Sequence, residues 1–324
     1  MARKLLSIVT PTLNEQDNVR ECRDRIARVM SGSLSDYDYE HIFTDNGSKD
    51  ETVARLREIA GEDACVRVIV NSRNFGAEAS ILNAVRAARG DAVFVMIPAD
   101  MQDPPELIPE FVANWEDGYK VVYGVRENRE ETALFSALRR AYYGAVDRLS
   151  EVAIPRNVGE FQLIDRVVVE ALAQFDDRRP YLRGMIASCG FPSKGIGYTW
   201  TRRKRGLSKM NLYRLVDFGL NGLTSFSVLP IRICLFAGWL ISLVSLLYAV
   251  TNFFISLIWY REFAEPGIAT LIVALFFFGG VLLFFLGVIG EYIVAIHNQV
   301  KQRPLVIEAE RINFEPAADD KNRP

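Results

Sequence analysis

Three side chains with oxygen donors stand close together in the stretch IPADMQDPPE, at residues 97–106. Asp100, Gln102 and Asp103 offer carboxylate and amide oxygens, which are the hard ligands that Mg²⁺ and Mn²⁺ prefer. Two or three such ligands leave the coordination shell of the ion incomplete unless substrate phosphates and water molecules fill it. The stretch therefore predicts a site for Mg²⁺ or Mn²⁺ on Asp100 and Gln102 that serves a diphosphate-bearing substrate.

A capped turn is the simpler interpretation of part of this stretch. Asp103 would be the N-cap of a helix, with Pro104 or Pro105 at the first helical position, where proline is favoured. This interpretation accounts for the residues from Asp103 onwards but gives Asp100 no role.

A second polar stretch, DNGSKDET, begins at Asp45. It could be a turn followed by a capped helix, because Asn-Gly favours tight turns and Ser or Asp favours helix N-termini. Asp45, at the end of an apolar run, could equally accept a hydrogen bond from the imide of a nucleotide base. The stretch alone leaves both interpretations open.

The chain lacks the residues that several other kinds of chemistry require. It contains neither a Walker A motif nor G-x-G-x-x-G, so ATPases and dinucleotide-binding enzymes lose support. Its two histidines are too far apart in sequence for a Ser-His-Asp triad or a histidine metal site. The four cysteines have neither metal-site spacing nor the pattern of a disulfide framework. We expect these residues to be structural or to lie at the surface.

The elements that must position the polar residues can be predicted from the first 130 or so residues, where five apolar runs alternate with helical patterns. Such alternation predicts a mostly parallel sheet, in which ligands bind beyond the carboxyl ends of the strands. Polar residues follow each run in turn: Pro11, Asn14 and Glu15; Asp45, Asn46, Gly47, Ser48 and Asp50; Arg73 and Asn74; Asp100, Gln102 and Asp103; Arg126 and Arg129. This repetition predicts a binding site at one edge of the sheet.

The last third of the chain carries two stretches, residues 233–260 and 266–290, that contain no Asp, Glu, Lys or Arg. Each exceeds the roughly 20 apolar residues of a membrane-spanning helix, so we expect two transmembrane helices. Basic residues flank the pair on both sides, which predicts a cytoplasmic N-terminal domain and cytoplasmic termini. The N-terminal apolar run is too short for a secretory signal peptide. The predicted location is the inner (plasma) membrane, with two spans.

A basic cluster precedes the first apolar stretch. Residues 202–214 hold six basic and no acidic side chains, which suits anionic headgroups or a phosphate ligand. Residues 211–230 then place apolar side chains at helical spacing, which fits an amphipathic helix on the membrane surface or ordinary packing within the domain.

Eight motifs precede the apolar stretches in the order VTPTLNE, DNGSKDET, SRNFG, ADMQDPPE, VVYGVRENR, GEFQLIDR, RKRGLSKM and SFSVLPIR. In these motifs the chain resembles family 2 glycosyltransferases with the GT-A fold and, more narrowly, the polyprenyl-phosphate glycosyltransferases. The resemblance covers nearly the whole chain. It implies an α/β, Rossmann-like, mostly parallel sheet with helices on both faces, then amphipathic juxtamembrane helices and two transmembrane helices.

The resemblance also implies four parts. These are a cytosolic GT-A catalytic domain at residues 1–210, an amphipathic juxtamembrane segment at 211–230, a two-helix transmembrane domain at 231–300 and a cytosolic tail at 301–324. We expect the polar tail to be loose.

Site residues carry over from the family position by position. The donor nucleotide would be held by Pro11, Leu13, Glu15, Asp45 and Arg73. The divalent ion would be bound by Asp100 and Gln102. The acceptor phosphate would be bound by Arg126, Arg129, Arg203, Ser208 and Lys209. The catalytic groups would be Asp100, Asp103, Arg126 and Arg203.

The implied reaction transfers a hexose-type sugar, with inversion, from a nucleotide-diphosphate sugar such as a UDP-sugar to a membrane polyprenyl phosphate. A phosphate monoester, with a second pKa of about 6, is largely ionised near neutrality and needs a general base less than an alcohol does. Asp103 would be such a base or a group that positions the acceptor. The family further implies a homo-oligomer, and we expect no nucleic-acid partner.

Two residues depart from the family pattern. Pro98 stands where the first Asp of Asp-x-Asp is usual, and Gln162 stands where Arg is usual. Pro98 motivates one alternative, an inactive membrane-tethered protein that binds nucleotide sugars. A processive polysaccharide synthase is another, although the chain has no Q-x-x-R-W motif. A flippase or channel component would be expected to carry ionisable residues within its spans.

Overall fold

The computed structural model of this chain describes residues 3–128, 158–177, 180–199, 267–301 and 303–314, together with scattered positions between 236 and 251. The sheet described below lies in one compact unit, and the long helix that begins at Gly267 lies in a second.

One sheet contains the strands that the structure describes. They are β1 (Leu5–Thr12), β2 (Asp38–Asp45), β3 (Val66–Asn71), β4 (Ala92–Phe94), β5 (Val121–Asn128), β6 (Val158–Asp165), β7 (Ser193–Thr199) and β8 (Glu308–Ile312). Their order in space is β7-β5-β6-β4-β1-β2-β3-β8. Strand β1 pairs in parallel with β2 and β4, as do β2 with β3 and β5 with β7. Strands β6 and β8 are antiparallel to their neighbours. The predicted mostly parallel α/β sheet is therefore confirmed.

The helices follow the strands much as the apolar periodicity predicts. They are α1 (Val19–Ser33), α2 (Thr52–Glu62), α3 (Ala77–Ala87), α4 (Ile108–Glu116), α5 (Arg166–Ala173), α6 (Leu182–Ser188) and α7 (Gly267–Val300), with a 3-10 turn at Pro105–Leu107. In α1 the buried side chains are Val19, Cys22, Ile26 and Met30. Steps of three and four residues put them on one face of the helix, against the core.

Strand β4 is shorter than its apolar run, which extends to Ile97. Beyond Phe94 the chain bonds alternately to its two neighbours, since Val95 N donates to the Gln162 carbonyl at 2.8 Å and Ile97 N donates to the Val9 carbonyl at 2.8 Å. Pro98, which has no N–H to offer, then starts the turn.

The tail is not loose throughout, contrary to our expectation from its polarity. Residues Glu308–Ile312 form β8, which pairs with β3 and places Glu308 opposite Asn71. Beyond the strand, the side-chain amide of Asn313 donates to the carbonyls of Ala60 at 2.7 Å and Val66 at 2.9 Å. This part of the tail therefore belongs to the eight-stranded sheet.

Helix α7 is the one part of the predicted transmembrane domain with described bounds. Its exposed side chains include Leu271, Leu275 and Leu282. Among the residues that can be searched, no helix offers a stretch both long and apolar enough for a membrane crossing. Apart from the scattered positions named above, the predicted first span at 233–260 lies outside the described residues, and so does the whole segment 211–230.

Candidate active site at the carboxyl edge of the sheet

The loops that follow β1 and β2 are joined by hydrogen bonds at the carboxyl edge of the sheet. Asn14, at a left-handed φ of 56°, donates from its backbone to Ser48 Oγ at 2.8 Å, and its side-chain oxygen accepts from Lys49 N at 2.8 Å. Glu15 N donates to Thr52 Oγ1 at 2.9 Å. The predicted meeting of polar residues at this edge is therefore confirmed for these two loops.

Asp45 is buried where β2 ends and shapes its own turn. One carboxylate oxygen accepts from the backbone N–H groups of Gly47 at 3.1 Å and Ser48 at 2.9 Å. The other accepts from the hydroxyls of Ser48 and of Thr12, the latter at 3.3 Å from the last residue of β1. The predicted turn is thus present, and Asp45 lies at the site edge with at least these four donors around it.

The loop after β3 comes close to the turn of Asp45. Gly47 has a φ of 77°, and a Cβ placed there would lie 2.8 Å from the backbone carbonyl carbon of Arg73. Only glycine combines this conformation with so close an approach. The Arg73 guanidinium lies 3.9 Å from the ring centre of Phe75. The backbone of Arg73 thus lies beside the turn of Asp45.

Pro11, Leu13 and Glu15 surround the end of β1. Pro11 lies opposite Thr44 of β2, and all three predicted residues are partly exposed. A carboxylate oxygen of Glu15 accepts from the Asn18 side-chain amide at 2.6 Å.

Asp100 and Gln102 lie on one tight turn after β4. Met101 N donates to the Pro98 carbonyl at 3.0 Å, Met101 has a left-handed φ of 57°, and Gln102 N donates to Asp100 Oδ1 at 3.3 Å. Both predicted ligands are partly exposed. Their carboxylate and amide oxygens are chemically suited to Mg²⁺ or Mn²⁺. Among the described residues, no group of three or more His, Cys, Asp or Glu side chains forms a metal cluster.

The pKa of the buried Cys22 thiol links this turn to the loop after β1. Burial is the main cause that raises this pKa to about 12, and the carboxylates of Asp100 and Glu15 contribute in the same direction. Both carboxylates therefore lie close enough to Cys22 to act on it electrostatically. Cys22 itself remains a protonated packing residue, as expected.

Asp103 does not cap the following helical turn, so that prediction is wrong. The turn Pro105–Leu107 has no side-chain cap. The buried Asp103 carboxylate instead accepts from Arg126 Nη2, at 3.2 Å to each oxygen, and from the Tyr198 hydroxyl. Burial raises the pKa of Asp103, whereas Arg126 and Tyr198 oppose that rise. A buried carboxylate finds more stabilisation in such partners than at an exposed helix end, where water competes.

Arg126, near the end of β5, is tied to Asp103 and also to β7. Its Nε donates to the Tyr198 hydroxyl at 3.0 Å. Tyr198 belongs to this cluster, although no motif in the sequence identifies it as a site residue. Arg126, Asp103 and Tyr198 thus form a cluster at the edge that carries Asp100.

A second group of charges lies on β6 and the helices near it. Glu160 and Arg183 form an ion pair with Oε1 and Nε 2.9 Å apart, and a carboxylate oxygen of Glu78 accepts from Leu182 N at 3.0 Å. Burial, followed by repulsion from Glu160, raises the pKa of Glu78 to about 8. No local pattern in the sequence indicates that Glu78 and Glu160 act on each other, because the two residues come from distant segments.

Gln162, one of the two departures from the family pattern, is buried in β6. Its side-chain amide donates to the Gly159 carbonyl of its own strand at 3.0 Å. In the described structure the Gln162 side chain therefore satisfies a backbone carbonyl of its own strand. Arg129, Arg203, Ser208 and Lys209 lie outside the described residues.

Comparison with protein families gives two matches that together cover most of the chain. Residues 7–173 match the family described as glycosyl transferase family 2. Residues 229–296 match the family described as the GtrB C-terminal hairpin.

Similar proteins match over nearly their whole length. An uncharacterized glycosyltransferase of Synechocystis sp. is 38% identical over 303 residues, which are 93% of this chain and 94% of the relative. The bactoprenol glucosyl transferase of Shigella phage SfII is 32% identical over 305 residues, 93% of this chain and 96% of the relative. Among solved structures, the mannosyltransferase PcManGT from Pyrobaculum calidifontis, in complex with GDP-Man and Mn²⁺, is 17% identical, with a TM-score of 0.48 over 93% of this chain and 89% of that one.

Proposed function

This chain belongs to glycosyl transferase family 2, among the polyprenyl-phosphate glycosyltransferases, and we propose that it transfers a hexose from a UDP-sugar to polyprenyl phosphate. One observation carries the proposal. The turn that bears Asp100 and Gln102 is joined through Asp103 to Arg126, so the groups for a metal-bound diphosphate and for an acceptor phosphate share one edge of the sheet.

The donor nucleotide is assigned to the loops after β1, β2 and β3. Pro11, Leu13 and Glu15 would border the base and ribose, and Arg73 would face the diphosphate with its positive charge. The contact between Gly47 and the backbone of Arg73 holds these loops close enough together to bind one ligand. Asp45 supports this arrangement from within by fixing the turn, and any contact with the base would add to the bonds that it already makes.

The donor diphosphate is assigned to the turn of Asp100 and Gln102, which would hold Mg²⁺ or Mn²⁺. When bound, the divalent ion neutralises charge that develops on the leaving diphosphate. Pro98 leaves this turn with one carboxylate fewer than its relatives usually have, so substrate phosphates and water must supply more of the coordination shell. The loss of this carboxylate is also the feature that favours an inactive binding protein, the second candidate function.

The acceptor phosphate is assigned to Arg126, with Arg129, Arg203, Ser208 and Lys209 as further proposed contacts. An oxygen of the ionised lipid phosphate attacks the anomeric carbon, and the bond from that carbon to the donor diphosphate breaks with its electron pair on the diphosphate. Attack opposite the leaving group inverts the configuration. No proton has to be removed from the nucleophile, which fits the engagement of Asp103 by two donors. Asp103 then positions the acceptor arginine rather than acting as a base.

Membrane attachment is proposed from the charge-free stretches at 233–260 and 266–290. Helix α7 covers the second stretch almost entirely and exposes many apolar side chains, which an apolar solvent would stabilise. Two spans with a cytoplasmic catalytic domain at the inner (plasma) membrane would bring the site to the headgroups where the lipid phosphate lies. A homo-oligomer is proposed on the family resemblance alone.

A transfer assay tests the proposal. Membranes that contain the full chain would receive a panel of labelled nucleotide sugars, undecaprenyl phosphate and Mg²⁺ or Mn²⁺, and label extracted into the organic phase would be counted. We expect label in a lipid that mild acid cleaves to the free sugar, and inverted anomeric configuration in the product. Binding of a nucleotide sugar without transfer from any donor would favour the inactive binding protein, and transfer to a growing polymer would favour a processive synthase.

A further inference from the structure

Tyr198 occupies the centre of the cluster that joins the two halves of the proposed site. It stands in β7 opposite Arg126 of β5, and its hydroxyl contacts both Arg126 and Asp103. Its ring packs edge-on against Phe161, with ring centres 5.7 Å apart. The side chain is therefore held at both its apolar and its polar end.

Two glycines provide the space for this cluster. A Cβ at Gly124 would lie 2.6 Å from Cε1 of Tyr198, and a Cβ at Gly159 would lie 3.1 Å from Nη2 of Arg126. Neither glycine has the positive φ that usually explains glycine in a chain. Both positions are better explained by the room that the tyrosine ring and the guanidinium need.

The direction of each hydrogen bond follows from the chemistry of the three groups. An arginine guanidinium can only donate, so the Tyr198 oxygen accepts the proton of Arg126 Nε. The proton of the Tyr198 hydroxyl is then directed to Asp103, which must be ionised in order to accept from both partners. The cluster is complete only with a charged Arg126, a neutral Tyr198 and a charged Asp103.

We propose that Tyr198 is a positioning residue that fixes the guanidinium of Arg126 for the acceptor phosphate. This inference rests on the proposed function, in which Arg126 binds that phosphate. Without the hydroxyl, Arg126 keeps its bond to Asp103 but loses the second anchor, at Nε, that prevents rotation of the guanidinium. A rotating cation binds a phosphate with a larger loss of conformational freedom and in a less uniform orientation.

The matched experiment compares Tyr198→Phe with Tyr123→Phe in the full-length protein. Tyr123 is in β5, the strand of Arg126, and its ring packs over Gly195 of β7. Binding of farnesyl phosphate would be measured by calorimetry, and kcat and KM would be measured for the donor and for the lipid. For Tyr198→Phe we expect about tenfold weaker farnesyl phosphate binding and an equal loss of kcat/KM for the lipid, with donor KM unchanged.

The kinetic constants for the two substrates give a readout that a merely structural role would not change. Tyr198→Phe should weaken only the steps that involve the acceptor phosphate, whereas a general loss of structure would raise the donor KM as well. Tyr123→Phe should leave the constants for both substrates unchanged. Both variants should retain the melting temperature of the parent within a few degrees.

Failure of the inference and failure of the proposed function give different results. If Arg126→Ala is impaired in binding farnesyl phosphate while Tyr198→Phe matches the parent in affinity and in kcat/KM for the lipid, the inference is overturned. If the parent transfers no sugar, the proposed reaction fails, and the affinities for farnesyl phosphate still decide the role of Tyr198. If Arg126→Ala binds as the parent does, the inference falls with its premise.

Discussion

The Nη2 atom of Arg126 lies 3.2 Å from both carboxylate oxygens of Asp103, across 23 positions of sequence. The Asp103 side chain is 1% exposed and that of Arg126 is 17% exposed, so water screens this pair little. The loop that follows the turn of Asp100 and Gln102 is thereby joined to β5, the strand that carries Arg126.

This pair should show strong coupling in a double-mutant cycle. Asp103→Ala leaves Arg126 without this counter-ion, and Arg126→Ala leaves the buried Asp103 carboxylate with the Tyr198 hydroxyl but without its cation, so each change alone should reduce kcat/KM for the lipid strongly. The loss of transition-state stabilisation in the double variant should be smaller than the sum of the losses in the two single variants, by at least about 1.5 kcal/mol. Lys4→Ala serves as a control, because the pair Lys4–Glu116 is exposed. Simple additivity at Asp103 and Arg126 would show that the two residues act independently.

Glu78→Gln should stabilise the protein in a defined pH range. The pKa of Glu78 rises from an ordinary value of 4.5 to about 8 in the fold. Below pH 4.5 the folded and the unfolded parent both carry the proton on Glu78, so ionisation of Glu78 costs the folded parent no stability in that range. Between pH 4.5 and 8 the unfolded chain gives up the proton first, and the folded state of the parent loses stability as the pH rises.

We expect Glu78→Gln to raise the free energy of unfolding by on the order of 2 kcal/mol above pH 8 and by close to zero below pH 4.5. The gain is smaller than the full change in pKa implies, because the Glu78 side chain is partly exposed. Urea unfolding of the parent and the variant at several pH values measures it. A difference that does not vary with pH would contradict the raised pKa.

Strand β8 should support the loop of Arg73, which is part of the proposed donor site, through contacts at the N-terminal end of the strand. At the site end, the carbonyl of Ile307 accepts from Ser72 N at 2.9 Å, and Glu308 accepts from the Asn83 side chain at 2.6 Å. Ser72 directly precedes Arg73. Glu308→Ala should therefore loosen the loop of Arg73 and raise the donor KM several-fold, with little effect on the lipid KM.

Asn313→Ala is the matched control for that prediction. Its two bonds, to Ala60 and Val66, lie at the opposite end of the strand pair. Their loss should lower the free energy of unfolding by about 1–2 kcal/mol and leave the donor KM unchanged. Equal effects of Glu308→Ala and Asn313→Ala on the donor KM would show that the strand contributes stability alone.

The sequence predicts those features that depend on local patterns. The alternation of apolar runs with helical periods identifies β1 to β5 and α1 to α4, because strands buried on both faces must be apolar throughout. The polar residues at strand ends then point to the site edge, since parallel strands share one edge for their carboxyl ends. The meeting of Asn14 with Ser48 and of Gly47 with Arg73 follows from that rule.

Features that depend on long-range pairing could not be predicted from these patterns. Tyr198 meets Arg126 only because β7 pairs with β5, and nothing near Tyr198 in the sequence specifies that partner. The local sequence around Asp103 resembles a helix cap. Its actual partners, the Arg126 guanidinium and the Tyr198 hydroxyl, come from strands that are distant in sequence. The strand EAERI has three charged residues among five, which is typical of a polar tail but is also tolerated in an edge strand with a solvated face.

The most direct test of the account is sugar transfer by the parent and by Asp100→Asn over a range of Mn²⁺ concentrations. Glu106→Gln is the control, because Glu106 is exposed and its carboxylate pairs with Arg25 at 2.7 Å. We expect chelator to abolish transfer by the parent, Mn²⁺ to restore it, and Asp100→Asn to fall by about a hundredfold or more while Glu106→Gln keeps the activity of the parent. Undiminished transfer by Asp100→Asn, or transfer by the metal-free parent, would contradict the account.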